Sequence, residues 1–393
     1  MAGMMKRVTM RVTVIGGGVL GTMHAWFAVR RGHQVVQIER DAEARSASVR
    51  NFGLVWVSGR RDGAELELAL RARELWEQVG AEVAGLGFRP HGSLTVALDE
   101  AELAVMAEFA SSAAAAVRDT VLLDASAVRR VNPAVAGRIA GALHCRADAI
   151  VESRVAQPVI REVMAATGRY RFVPRRNVIG REGTTVIDHL GDRHEAEVVM
   201  ICPGAVHDGL AGEHLSRTPL RRCQLQMLQT APLDVRLTTS IADVDSMRYY
   251  PAYEHVDLGS LPAQPEVAAR HKMQLLLVQR LDGGLTIGDT HAYDPPSGED
   301  AEEAAGAFPF DVDEDPYDHL IARAEAILGR RLPRIQRRWS GIYSQIAPGR
   351  SAGGDPVYHH AVLEPGVVVV TGPGGRGMTL APAIAERTWK DLA

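Results

Sequence analysis

Residues 12–40 read VTVIGGGVLGTMHAWFAVRRGHQVVQIER. Val12, Val14 and Ile15 form a short β-branched run suited to a buried parallel strand. Gly16, Gly18 and Gly21 follow at G-x-G-x-x-G spacing. The first glycine permits a tight turn, the second leaves backbone bare for a pyrophosphate, and the third lets helix and strand pack closely. A helix starting at Val19 and Leu20 turns its N–H groups and dipole toward that phosphate. Gly32 stops the helix, and a second strand ends at Glu39 and Arg40, with Glu39 placed 23 residues after Gly16. An acid there accepts hydrogen bonds from adenosine ribose hydroxyls and disfavours a 2′-phosphate. The unit predicts a dinucleotide site, with NADP the poorest fit and NAD and FAD both open.

Composition narrows the class. Of 393 residues, 46% are hydrophobic and 23% charged, as in a soluble globular protein large enough for two folded parts. A net charge of −4 argues against nucleic acid as a partner. No apolar run is long enough for a membrane span, and MAGMMKRVTM carries no cleavable apolar stretch. Cys145, Cys202 and Cys223 are odd in number and far apart, which predicts reduced thiols, a cytoplasmic setting and no metal site.

Two further stretches select FAD. Residues 44–60, ARSASVRNFGLVWVSGR, place Ser46 and Ser48 where phosphate can be bound and Asn51 to Leu54 where a flavin ring can lie. Residues 367–392 repeat the strand, glycine turn and helix order, with Gly372, Gly374, Gly375 and Gly377 in the turn. Thr379 is expected to cap this helix and Pro382 to fall in its first turn. A helix N-terminus aimed at the flavin pyrimidine stabilises the negative charge of the reduced ring.

SVRNFGLVW, RPHGSLTVALDEAELAVM, CQLQML and GPGGRGMTLAPA carry a resemblance over nearly the whole chain. The sequence resembles the D-amino-acid-oxidase-like FAD-dependent oxidoreductases, the group that includes glycine oxidase and sarcosine oxidase. Within it, the sequence resembles a subgroup associated with aminophosphonate catabolism. By position, the resemblance puts Gly16, Gly18 and Gly21 on the pyrophosphate and Glu39 on the ribose. It sets Ser48, Arg50, Asn51, Phe52 and Gly53 beside the isoalloxazine, and Val178 near the adenine. Cys202 and Gly204 fall on a strand beneath the cofactor, and Gly374, Gly375, Arg376, Gly377, Met378 and Thr379 cover the pyrimidine end. Sarcosine-oxidase relatives attach FAD through a cysteine before the last glycine motif. WSGIYSQIAPGRS has none, so FAD is expected to be non-covalent.

The implied fold is α/β with an α+β cap. A Rossmann-like FAD-binding domain is expected from residues 1–85, 140–216 and 334–393. An antiparallel-sheet substrate domain is expected from 86–139 and 217–333. Leu68, Leu75, Val79, Val83 and Leu86 mark a packing helix, and Asp99 with Glu102 a capping-box-like helix start. RCQLQMLQT, KMQLLLVQRL and GLTIGD read as strands of a roof over the flavin. Residues 294–315 hold nine acids and no Lys or Arg, which predicts a solvated loop.

The resemblance implies an oxidase: a C–H beside an amine gives a hydride equivalent to flavin N5, the imine hydrolyses, and O2 becomes H2O2. No protein base is assigned. Arginines suit the substrate anion, with Arg50 and Arg376 placed better by sequence than Arg248 and Arg350. SMRYYPAYEH gathers Tyr249, Tyr250 and Tyr253, expected on a cap strand that either walls the pocket or packs across strands. His291, Tyr343 and Gln345 complete the candidates. Two other readings stay open: a dehydrogenase passing electrons to a quinone or carrier protein, and a dinucleotide-binding regulator without turnover. A monomer or homodimer is expected.

Overall fold

The computed structural model describes residues 9–294, 308–309, 311–349 and 356–392. Strand Arg11–Ile15 lies between Val198–Ile201 and Gln34–Ile38 in a six-stranded sheet. Tyr170–Val173 and Val367–Thr371 extend it in parallel, and His359–Glu364 adds an antiparallel edge. Strands covered on both faces are apolar at every position, which explains the unbroken valine run of 367–370. Val368 and Val370 pack with Val12 and Val14 against helices Val19–Arg30 and Gly377–Asp391. Val367 and Val369 face the other way, joining Ile201 and Val186.

The second body is a nine-stranded sheet in the order 292–293, 220–232, 284–288, 276–279, 240–243, 93–97, 141–145, 120–124, with Ile335–Ile346 paired to Leu220–Pro232. Its alternation is the two-residue period of a sheet buried on both faces. Leu277, Leu285 and Ile287 pack outward beneath helix Asp315–Leu328, while Leu225, Met227, Leu276 and Val278 point toward Phe52 and Trp56. Strands Gly141–Cys145 and Ile335–Ile346, expected with the cofactor domain, hydrogen-bond into this sheet instead. The breaks expected at 140 and 334 therefore run through it.

Several local expectations hold. Asp99 accepts from Glu102 N at 2.9 Å, and Glu102 reaches back to Leu98 N at 2.7 Å. Leu75 and Val79 are buried on helix Ala64–Glu82, while Val83 and Leu86, also buried, fall just past its end. Two do not. Thr379 is no cap: it lies inside helix Gly377–Asp391, its hydroxyl accepting from Trp56 N at 2.9 Å and donating to Leu54 O at 3.2 Å. Pro382 sits past the first turn, so its missing N–H leaves Met378 O without its helical donor. Trp76 Nε1 supplies that bond at 2.9 Å. Of the acidic run, residues 295–307 and 310 lie outside the described residues. No helix among those described is long and apolar enough to cross a membrane.

Candidate active site

The turn after strand Arg11–Ile15 is built so tightly that side chains are excluded. Gly16 has φ +111°, and a Cβ there would stand 2.4 Å from Cys202 O. A Cβ on Gly21 would stand 2.1 Å from Gly16 O, so the helix presses directly on the turn. Ser48 Oγ accepts from Val19 N at 2.9 Å at the start of that helix. Glu39, at the end of the second strand, accepts from Gly17 N at 2.6 Å and Asp41 N at 3.0 Å.

One cavity of about 470 Å³ runs from this turn to the antiparallel sheet. It is lined by Gly16, Gly18, Val19, Leu20, Gly21, Glu39, Arg40, Ser46, Ser48, Arg50, Asn51, Phe52, Val178, Cys202 and Gly204. Gly374, Gly375 and Arg376 line it from the C-terminal glycine turn and Gly377, Met378 and Thr379 from the helix after it, as do Tyr249, Tyr250, His291, Tyr343 and Gln345 from the cap. Four sequence candidates behave differently. Gly53 is off the cavity and serves packing, since a Cβ would meet Val151 O at 2.0 Å. Tyr253 turns away to pack edge-on against Phe109, ring centroids 4.7 Å apart. Arg248 is held by Asp245 at 3.0 Å and by the carbonyl of Pro262, away from the cavity. Arg350 lies outside the described residues. The tyrosines sit on helix Asp245–Tyr249 and the turn Pro251–Tyr253, not on a strand, because Tyr250 is extended (ψ 133°) before Pro251 and breaks the segment.

Of the polar wall opposite, sequence reading named Arg376 and missed Arg60 and Glu65. Arg60 is 4% exposed, with Nη1 3.6 Å from Glu65 Oε1, and Arg376 Nη1 lies 3.1 Å from Glu65 Oε2. Two guanidinium groups on one carboxylate leave a net positive charge facing the cavity. Arg60 also lies over the Tyr250 ring, 5.5 Å from its centroid. Arg50 instead donates to two carbonyls, Arg45 O and Ser340 O, both at 2.7 Å. Gln345, in the orientation its hydrogen bonds require, accepts from Arg221 Nε and Nη2 at 2.8 and 2.7 Å.

The hydroxyl-bearing wall is protonated at neutral pH. Burial pushes the hydroxyls of Tyr249, Tyr250 and Tyr343 above the ordinary phenol value, and that of Tyr293 up to about 12. Tyr249 and Tyr343 hydroxyls lie 3.3 Å apart, and Tyr249 stacks on His291 at 4.1 Å between ring centroids. His291 Nδ1 lies 2.9 Å from Lys272 O, which fixes its proton on that nitrogen because a carbonyl only accepts. Cys202 and Cys223 thiols are each pushed up to about 12 by burial, so neither supplies a thiolate. No group of three metal-ligating side chains occurs among the described residues.

A bare glycine turn, a strand-terminal acid and a second glycine-led helix N-terminus around one elongated cavity define a dinucleotide-dependent α/β oxidoreductase. Residues 11–389 match the DAO family, FAD dependent oxidoreductase, and the chain belongs to that family. Its cofactor is FAD, and the residues present fit it: the turn admits backbone alone, and Glu39 offers a carboxylate beside it.

Among relatives, one of the subunits of opine oxidase from Rhizobium meliloti is 30% identical over 152 residues, 35% of this chain and 40% of that polypeptide. The pyruvate dehydrogenase phosphatase regulatory subunit of Mus musculus is 22% identical over 249 residues, 61% of this chain and 28% of that protein. The matches thus span less than half the length of either relative. The crystal structure of glycine oxidase from Bacillus cereus shares the fold, with TM-score 0.72 and 22% identity over 97% of this chain and 96% of that one.

Proposed function

We propose that the protein is an oxidase of a small substrate bearing both an amine and an anion, an aminophosphonate or an amino acid. The observation that carries the reading is the Arg60–Glu65–Arg376 cluster, whose unmatched positive charge faces the cavity. A planar guanidinium fork suits phosphonate or carboxylate oxygens. The names of the relatives, glycine oxidase and opine oxidase, and the resemblance to the aminophosphonate subgroup support it.

The overall change is R–CH2–NH3⁺ + O2 + H2O → R–CHO + NH4⁺ + H2O2. When bound, FAD supplies the two-electron acceptor and returns those electrons to dioxygen. The protein's own part is binding and exclusion of water. Phe52, Leu225, Met227 and Leu276 give the cavity apolar walls. The bound amine must lose its proton before its neighbouring C–H is broken, and apolar walls lessen the cost of the neutral form at that moment. The buried phenols remain donors and hold the substrate without taking its proton.

FAD is held non-covalently in this reading, since 339–351 contains no cysteine. The test is anaerobic mixing of the yellow protein with glycine, sarcosine, D-alanine and small aminophosphonates, followed by peroxide assay in air. Bleaching, peroxide and a preference for aminophosphonates are expected. Dye reduction without peroxide would make it a dehydrogenase, and no bleaching by any amine would sink the reading.

A further inference from the structure

We propose that Asp289 and Gln274 form the subsite that receives the ammonium group of the substrate. The inference rests on the reading above that the substrate carries an amine, and it names the residues that recognise it. Both side chains line the cavity and are buried, Asp289 5% and Gln274 2% exposed. Asp289 follows strand Gly284–Gly288 and Gln274 precedes Leu276–Gln279. Paired backbone bonds, Asp289 N to Gln274 O at 2.9 Å and Gln274 N to Asp289 O at 3.4 Å, hold the two side by side.

What distinguishes this pair is a shortage of donors. Asp148, also buried, accepts from Ser58 N at 3.0 Å, Ser58 Oγ at 2.7 Å and Ser93 Oγ at 2.6 Å. A buried carboxylate ordinarily gathers such a set. Asp289 meets Gln274 Nε2 at 3.4 Å and His291 Nε2 at 3.8 Å, both long for a buried charge. Gln274 Oε1 is buried with no hydrogen-bond partner. A carboxylate and an amide oxygen, each wanting donors and both on residues that line the cavity, suit a positively charged group with several N–H bonds. Burial raises the carboxyl of Asp289, and a cation placed against it would reverse that.

The position also matches a two-ended substrate. Tyr250 carries Arg60 over its ring, while its hydroxyl lies 3.4 Å from Gln274 Nε2. Tyr250 thus stands between the two ends of the pocket, with the guanidinium over its ring and the amide of Gln274 at its hydroxyl. Oxidation removes the ammonium, so the carbonyl product loses this contact and keeps only the anion end. The subsite thereby separates substrate from product.

The FAD-loaded protein is titrated anaerobically with two pairs of ligands: glycine with acetate, and 2-aminoethylphosphonate with ethylphosphonate. Binding is read from perturbation of the flavin absorbance, and for the amines also from the concentration dependence of bleaching. Asp289→Asn is expected to weaken both amines at least tenfold while acetate and ethylphosphonate change less than twofold. Gln274→Met is expected to act in the same direction, about threefold. Parallel weakening of amine and amine-free ligands in both variants, or unchanged amine binding, overturns the subsite. Wild-type protein that no amine bleaches fails the oxidase reading instead, and the subsite is then judged on the absorbance titrations alone.

Discussion

At Gly16 a single hydrogen stands where any other residue would place a carbon against the carbonyl of Cys202. That carbonyl belongs to a fixed strand end, since Cys202 N donates to Ile15 O at 2.8 Å, so it cannot retreat. Positive φ adds to the penalty. Gly16→Ala is expected to cost about 3 kcal/mol and to yield protein without flavin. Gly204→Ala, also at positive φ but with open space around the added carbon, is expected to keep its flavin. The ratio of 450 nm to 280 nm absorbance, with the unfolding midpoint, checks both. Residues of this kind are legible in sequence because the chemistry needs them at fixed spacing along one turn. Arg60, Glu65, Gln274 and Asp289 are not: they come from different segments, and nothing local in SGRRDG marks Arg60 for a pocket. What unites them is burial and mutual charge, which exist only after folding.

Helices and strands show the same division. The valine run follows from burial on both faces of its strand and is readable in the sequence, as are the apolar stretches of the roof strands. Pro382 is not, because a helix start cannot be located to within a turn from residue types alone. The structure solves the missing N–H with an indole from another helix, at 2.9 Å from Met378 O. Trp76→Phe should therefore lower stability by about 2 kcal/mol, beyond what the loss of ring area explains. In a Pro382→Ala background, where a backbone N–H can serve Met378 O, the same change should cost less. A double-mutant cycle by chemical denaturation reads the coupling, and strict additivity would refute the assignment. The tyrosine segment misleads for a different reason: an extended residue before proline looks like strand, yet here it only separates two short turns.

For the molecule as a whole, acid should loosen the cofactor side first. His24 lies fully buried beneath the glycine turn, donating from Nδ1 to Leu20 O at 2.7 Å, while its Nε2 has no hydrogen-bond partner. Burial pulls its pKa down to about 4. The unfolded chain takes up that proton near pH 6.5, the folded one only near pH 4. Stability is thus lost as pH falls through that window, by about 3 kcal/mol at most. Glu386, held by Arg71 at 2.7 Å, has a carboxyl lowered to about 2. Its contribution is present above pH 4.5 and fades below it, about 1 kcal/mol once the exposure of Arg71 is allowed for. Thermal melts of the FAD-loaded protein between pH 7.5 and 4 should show the first loss, and His24→Gln should flatten it. An equally steep decline in that variant would place the acid-sensitive group elsewhere.

Leu220–Pro232 and Ile335–Ile346 stay paired along almost their full lengths, and the second strand ends where Gln345 bridges to Pro373 in the flavin-side glycine turn. A ladder that long works as a splint. The two strands cannot swing apart as jaws would without breaking that ladder, which keeps this part of the roof in one piece. A substrate that enters beneath it therefore meets Tyr343 and Gln345 carried on a strand that cannot peel away from its neighbour.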